Sequence, residues 1–386
     1  MTPESSVVTL PEVIIPQERE VLTPEMVLAD LNSPLAASRM REYQIAKNAH
    51  GLWLVIACAD ARVSVPFATN RLGMMVLPSV AASALPHEFR ETIRRDGKQA
   101  IAGVVVVSHF DGESSTQVGQ GLEGCGGIHA KSNGNGTGEP LLDTYVDKVI
   151  PRGDTVGNTL QMWNALRDIT DIPVVGAVMD HRTQAMMPIA ISVGDRSHFT
   201  SNTTVSRSPL EGFIDHLELG QVAELSAPAA RLFQENQGVV ARLAETDPGF
   251  YERQRYNDPR LLLITDSPKP ARVLLPNHCD RPNESFRISV PRGKGREGLT
   301  SSAVNLAVAQ ASYPIMHALG GLEKGSGSFS HLKTVLIHTK LGLDASDVRE
   351  ALIAQDWMQQ WMSMGGSMLV VETNRGLPEG SRIYSH

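Results

Sequence analysis

Leu52-Trp53-Leu54-Val55-Ile56-Ala57-Cys58-Ala59-Asp60-Ala61-Arg62 is the stretch on which the fold turns. Its first six residues are apolar without a break. The next five carry a thiol, a carboxyl and a guanidinium at alternate positions. A short uninterrupted apolar run reads as a strand buried on both faces, the kind found inside a parallel sheet. A second such run, Val104-Val105-Val106-Val107-Ser108, ends at His109. Both runs deliver chemically active side chains at a strand end, where loops of α/β folds build their sites.

Outward from these runs, strands alternate with helical segments. A helix is expected from Thr23-Pro24-Glu25, where a capping residue precedes proline in the first turn, and a second helical segment runs to about Asn48. Strand 52–57 follows, then a strand near Met74-Met75-Val76-Leu77, a helix over Pro86 to Arg95, and strand 103–108. Residues 110–138 are rich in Gly, Ser and Asn and read as a long loop, which in a compact domain is usually functional or mobile. A helix near Thr155–Ile169 leads to the strand Val174-Val175-Gly176-Ala177-Val178-Met179. This alternation predicts a mainly parallel sheet with helices on its faces.

The second half repeats the order. Helix 232–245, strand 261–264, strand 286–290, helix 303–319, strand 334–337, helix 347–362 and strand 368–371 follow one another. Leu54-Val55-Ile56 through Arg62-Val63 can be laid over Leu262-Leu263-Ile264 through Arg272-Val273, with two extra residues in the later copy. The repeat is too long for a solenoid and reads as one domain duplicated and then diverged. The expected organisation is an extended arm over 1–24, one domain over 25–205 and a second over 206–386.

The chain has 386 residues, a hydrophobic content of 41% and a charged content of 20%, enough for two or three cores of ordinary globular type. A formal net charge of -7 without a dense basic run argues against a nucleic-acid partner. No apolar segment approaches the roughly 20 residues that cross a bilayer. The start, Met1-Thr2-Pro3-Glu4-Ser5-Ser6, lacks the basic and apolar segments of a signal peptide. Three cysteines (58, 125 and 279) are too few for a disulfide framework. A reducing, cytoplasmic setting is the expectation.

Cys58, His109 and Cys125, the last in Gly124-Cys125-Gly126-Gly127-Ile128-His129, form a set that can hold a divalent metal, zinc above all. His129 is the substitute ligand should Cys125 fail. Cys58-x-Asp60-x-Arg62, with a later His and Cys, resembles the site of the β-class carbonic anhydrases. The resemblance spans most of residues 25–386, and its first motif is the sharp one. Several departures accompany it. Gly112, not Cys, stands three residues after His109, so Cys125 follows an insertion. Leu77-Pro78-Ser79-Val80-Ala81 replaces the family's Arg-Asn-Ala-Gly-Asn run.

In the second half Thr265-Asp266-Ser267-Pro268 and His338-Thr339-Lys340-Leu341-Gly342 stand where the two motifs would be, keeping one ligand of three. A long His-to-Cys spacing, an active first copy and a silent second copy resemble the carboxysome-shell subfamily. The resemblance implies two tandem α/β domains forming a pseudo-dimer within the chain, with one Zn(2+) per chain on Cys58, His109 and Cys125. It implies carbonate dehydratase activity, with zinc-bound hydroxide attacking carbon dioxide to give bicarbonate. Asp60 would accept a hydrogen bond from that hydroxide, and Arg62 would grip Asp60 and keep it off the metal. His129 or His87 would serve as proton relay. It further implies a homo-oligomer of pseudo-dimers, no membrane partner, and residence in a carboxysome-type compartment, with the arm docking to the shell or an encapsulated enzyme. Carbonyl sulfide or carbon disulfide hydrolysis on the same site, and a zinc-stapled scaffold without catalysis, stay open.

Three further features carry less. Gly119-x-Gly121-x-x-Gly124 matches the dinucleotide pattern, but lies about ten residues past the strand and opens no helix, so it is read as chance. Met186-Met187 and the methionines of 358–368 read as core filling. Cys279, in Asn277-His278-Cys279-Asp280, reads as a solvated loop thiol.

Overall fold

Thr23 and Ser33 set the first two helices. Each lies in extended backbone and accepts a hydrogen bond from an amide in the first turn, from Met26 at 3.4 Å and from Ala36 at 3.0 Å. A proline follows each cap, giving α1 (Pro24–Leu31) and α2 (Pro34–His50). Gly51, with φ of 70°, takes the left-handed conformation that turns α2 directly into β1 (Leu52–Cys58). The computed structural model describes residues 20–79, 101–110, 155–200, 216–254, 257–290, 301–324, 329–340, 345–373 and 382–385, with positions 82, 90, 93 and 94.

From β1 the chain runs through α3 (Val65–Ala68), β2 (Met74–Ser79), β3 (Ile101–Phe110), α4 (Thr155–Arg167), β4 (Val174–Asp180), β5 (Ala185–Val193) and β6 (Arg196–Phe199). The second half comprises α5 (Leu219–Leu225), α6 (Ala227–Thr246), α7 (Phe250–Arg253), β7 (Leu261–Thr265), α8 (Ala271–Leu274) and β8 (Ser285–Ser289). Then come α9 (Ser301–Lys324), β9 (Thr334–Lys340), α10 (Ala345–Ile353), α11 (Asp356–Ser363), β10 (Ser367–Thr373) and β11 (Arg382–Ser385). The result is an α/β protein with two mostly parallel sheets flanked by helices.

The first sheet has the order β2-β1-β3-β4-β5-β6, and the second β11-β10-β9-β7-β8. Read from β2 and from β8, the first five positions match in order and sense: four parallel strands, then one antiparallel. The two edge strands β2 and β8 face each other across the middle of the molecule. There the Val76 amide donates to the Pro268 carbonyl at 2.8 Å, and the Asn283 amide to the Ala61 carbonyl at 2.6 Å. Both edges are thereby covered rather than left open.

Alternate residues of the central strands face opposite ways, and the two faces are covered differently. Leu54, Ile56, Val104 and Val106 pack on Met162, Trp163 and Leu166 of α4. Trp53, Val55, Val105 and Val107 pack on Val222, Leu232 and Phe233, which belong to the second half's opening helices. The converse holds across the molecule, where Leu261, Leu263 and Leu336 pack on Leu22, Val27 and the apolar side of α1 and α2. Each half therefore lends its first helices to the other's sheet. Fully burying one such Leu or Phe contributes roughly 1.5–3 kcal/mol, so neither sheet keeps its core without its neighbour.

Polar contacts lock the exchange. Asn236 of α6 is buried and donates to the carbonyls of Ala68 at 2.9 Å and Gln184 at 2.8 Å, while accepting from the Met186 amide at 2.8 Å. Asp30 of α1, also buried, accepts from the Asn277 and His278 amides at 3.1 Å. The C-terminal end of the arm is not free: Leu22 is buried on the second sheet, and Thr334 donates its hydroxyl to the Leu22 carbonyl.

Several sequence expectations change here. The helix expected over 347–362 is two helices, α10 and α11, broken around Ala354 and Gln355. The antiparallel strands β5, β6 and β11 have no counterpart in the sequence reading. Cys279 is buried, not solvated: it sits in the apolar cluster with Leu274, Leu275 and Leu263. Burial, then the nearby Glu284, pushes its thiol pKa well up. Met186, Met358 and Met368 are buried as core filling, whereas Met364 is exposed. The Pro86–Arg95 helix (apart from positions 90, 93 and 94), the Gly-rich loop beyond Phe110, Gly119 to Gly124 and the boundary near residue 205 lie outside the described residues. No helix among the described residues is long and apolar enough to cross a membrane.

Candidate metal centre at the strand ends

Parallel pairing brings the carboxyl ends of β1, β3 and β4 side by side. Ala57 pairs with Val107, and Val107 with Ala177, so Cys58, His109 and the residues after Asp180 emerge at one rim of the sheet. The loop leaving β1 is held from several sides. The Ala59 amide donates to Ser79 at 2.9 Å, and the Gln184 side-chain amide donates to the carbonyls of Arg62 and His181, both at 2.7 Å.

Within that loop Asp60 accepts from the Arg62 amide at 2.9 Å, an Asx-type turn that brings the two side chains together. The guanidinium then grips the carboxylate with two nearly parallel bonds, Nε to Oδ1 at 2.9 Å and Nη2 to Oδ2 at 2.8 Å. Both residues are buried, only 9% exposed, so this is not a surface ion pair of little weight. Burial by itself would raise the Asp60 carboxyl, but Arg62, His109 and His181 together hold it well below the usual carboxylate range.

His109 is fully buried, with Nε2 3.7 Å from Asp60 Oδ2, too far for a hydrogen bond. That Nε2 has no hydrogen-bond partner among the described residues. Its other nitrogen, Nδ1, lies 3.2 Å from Nδ1 of His181. His181 in turn places Nε2 2.9 Å from Arg62 Nη1. Burial, then the Arg62 and His109 charges, depresses the His181 pKa well below that of a free imidazole. Hydrogen bonds thus link Asp60, Arg62, His181 and His109 in sequence, and the two ends of that chain stand 3.7 Å apart.

Of the residues singled out from sequence, Asp60, Arg62 and His109 come together, and Cys58 lies buried at the adjoining strand end. Cys125, His129 and His87 lie outside the described residues. Among the described residues no three His, Cys, Asp or Glu side chains are grouped to hold a metal. One observation fits a metal at this rim all the same: a buried imidazole nitrogen with no hydrogen-bond partner among the described residues is what a metal ligand looks like before its ion is added.

His181 was missed in the sequence reading. Like His109 it follows an apolar strand, but only the pairing of β4 with β3 brings it to the site.

Among its described residues the second half offers no equivalent. Ile56 pairs with Val106 as Ile264 pairs with Ile337, which puts Asp266 at the place of Cys58 and Lys340 at that of His109. His338 sits two residues deeper than His109, with Nδ1 3.4 Å from the Thr265 hydroxyl. Arg272, laid over Arg62 in the sequence, instead falls inside α8. It donates to the Pro66 carbonyl at 2.8 Å and pairs with Asp280 at 2.9 Å.

A cleft of about 60 Å³ opens where the halves meet, beside Cys58 and Asp60, and is lined from the other half by Pro270, Arg272 and Arg287. Its size suits a few waters or a molecule of a few atoms.

No protein-family model and no curated protein matches the sequence. Among solved structures, the chain is similar to the crystal structure of a β-carbonic anhydrase from the fungal pathogen Aspergillus fumigatus, at 15% identity, with a TM-score of 0.25. That match covers 40% of this chain and 84% of the other. A β-carbonic anhydrase from Coccomyxa, solved in complex with acetazolamide, is similar at 17% identity and a TM-score of 0.25, over 42% of this chain and 81% of that one. Scores of this size carry no argument for a shared fold or function.

Proposed function

We propose that this chain is a zinc-dependent carbonic anhydrase of the β-class type, with one active site per chain in its first half. The observation that carries the reading is that Nε2 of buried His109 has no hydrogen-bond partner among the described residues, beside the Asp60–Arg62 fork and next to the strand that ends in Cys58. Cys58 and His109 would hold the ion from two strand ends, and Cys125 would supply the third anchor. Zinc, when bound, supplies a water activated as a nucleophile near neutral pH.

The chain's own residues do the rest. Asp60 is ionised and offers an acceptor to orient a proton-bearing nucleophile. Arg62 occupies both Asp60 oxygens, which keeps the carboxylate from becoming a ligand itself. The small cleft admits a molecule of the size of carbon dioxide, with apolar walls from Ala57, Val76 and Pro78. In this reading the two halves are diverged copies of one domain. The matching sheet order and the exchange of opening helices support that, and the absence of a thiol at Thr265 and Asp266 makes the second copy silent.

Metal analysis of the full chain tests the reading. About one zinc per chain is expected, falling to background in Cys58→Ser and His109→Gln. A wild-type chain that takes up no zinc from a buffered excess would defeat it.

A further inference from the structure

The cleft between the halves is charged unevenly. From the first half Asp60 lines it, but the Arg62 fork already matches that charge. From the second half Arg272, Arg281 and Arg287 line it. Arg272 pairs with Asp280 at 2.9 Å and Arg281 with Asp247 at 3.0 Å. Arg287 pairs with no carboxylate among the described residues. Its Nη2 donates to the Ser267 carbonyl, and its Nε has no hydrogen-bond partner among them. The residue is only 6% exposed.

The sheet puts it there. Arg287 lies opposite Leu263 on the edge strand β8. Its neighbours Phe286 and Ile288 pack into the core that holds α9, so Arg287 points to the other face. Val76, opposite Val55, holds the matching place in the first sheet, so this buried charge is particular to the second half. Nearby titratable groups do not balance it. Burial pushes the Tyr43 phenol up to about 12, which leaves it neutral. Burial, then Lys269 and Arg287, hold His338 neutral with a pKa of about 4. Burial lowers Arg287 itself only to about 10, so it keeps its charge. A desolvated cation without a counter-charge is costly to keep. An anion entering the cleft would relieve that cost.

We propose that Arg287 makes this cleft a receptor for a small oxoanion of single negative charge, supplied by the half that lacks the thiol and imidazole set. The volume of about 60 Å³ holds roughly four water-sized atoms, the heavy-atom count of bicarbonate or nitrate. A planar guanidinium suits a planar trigonal anion. That the natural anion is the bicarbonate product rests on the carbonic anhydrase reading; the receptor does not. On that reading a neutral substrate enters unopposed, and the anion formed is drawn from the Asp60 side toward Arg287.

Isothermal titration of the full chain with sodium nitrate and with sodium bicarbonate, at constant ionic strength, tests this. Both anions should bind saturably to the wild type and to Cys58→Ser, in which no metal is expected to hold them. Arg287→Gln should weaken both by at least about tenfold. Arg281→Gln, which removes an exposed and already paired arginine of the same cleft, should weaken them less than about twofold. No saturable binding to the wild type, binding that vanishes in Cys58→Ser, or an Arg287→Gln chain that binds as the wild type does would each overturn the proposal. Should Arg287→Gln not fold, bromide soaked into wild-type crystals decides. Bromide within hydrogen-bonding reach of the Arg287 guanidinium supports the receptor, and bromide at exposed arginines alone overturns it. Anion binding as stated in a chain that does not hydrate carbon dioxide would leave the receptor standing and remove the carbonic anhydrase reading. Hydration by a chain that binds neither anion would do the reverse.

Discussion

Arg62 holds Asp60 through two bonds of 2.9 and 2.8 Å inside a site from which both are almost wholly shielded. The pair is short-range in sequence but depends on the whole rim of the first sheet, since β3 and β4 supply the histidines around it. Removing one partner of such a pair leaves a buried charge alone, at a cost of about 3–5 kcal/mol. Arg62→Ala should lose about that much in urea unfolding, and Arg62→Lys, which keeps the charge but not the fork, should lose less. A loss under about 1 kcal/mol for Arg62→Ala would mean that Asp60 is solvated after all.

Asn236 ties α6 of the second half to the first through three hydrogen bonds at 2.8 to 2.9 Å. Asn236→Ala strands one buried amide and two buried carbonyls, and should destabilise the chain by about 3 kcal/mol. Because α6 covers the first sheet, loss of signal in both halves is expected at a single denaturant midpoint. Two separate transitions would contradict the reciprocal exchange of helices.

His338 gives the second half a pH signature. Burial, then Lys269 and Arg287, lowers its pKa from 6.5 to about 4. The folded chain therefore keeps this imidazole neutral over a range in which the unfolded chain protonates it. Stability present above pH 6.5 is lost as the pH falls toward 4, by on the order of 3 kcal/mol. His338→Asn should show a shallower fall across that window in denaturant midpoints. An unchanged slope would show that His338 does not resist its proton.

Cys279, packed among leucines with its thiol pKa pushed up, should resist alkylation in the native chain and react only on unfolding. Peptide mapping after brief labelling checks this, and rapid native labelling at Cys279 would restore the solvated-loop expectation.

The strands that form the rim were legible because their apolar runs are unbroken and end in polar residues. Thr23-Pro24 announced α1 for the same local reason, a cap followed by proline. Cys58, Asp60, Arg62 and His109 could be picked out as a set, since each sits at the end of such a run. What escaped was non-local. His181 belongs to the site only because β4 pairs with β3, and no spacing along the chain says so. Strand β5 carries Pro188 in its middle, which breaks the usual strand signature, and β6 and β11 are only four residues long. Cys279 looked solvated among Asn, His and Asp. It is buried because α1 and the second sheet close over it.

Stopped-flow hydration of carbon dioxide by the zinc-loaded full chain, set beside Cys58→Ser treated in the same way, is the measurement closest to the claim. Turnover by the wild type and none above the uncatalysed rate for Cys58→Ser is the predicted result. A wild-type chain that carries its zinc and yet leaves the hydration rate at the buffer value would contradict the account.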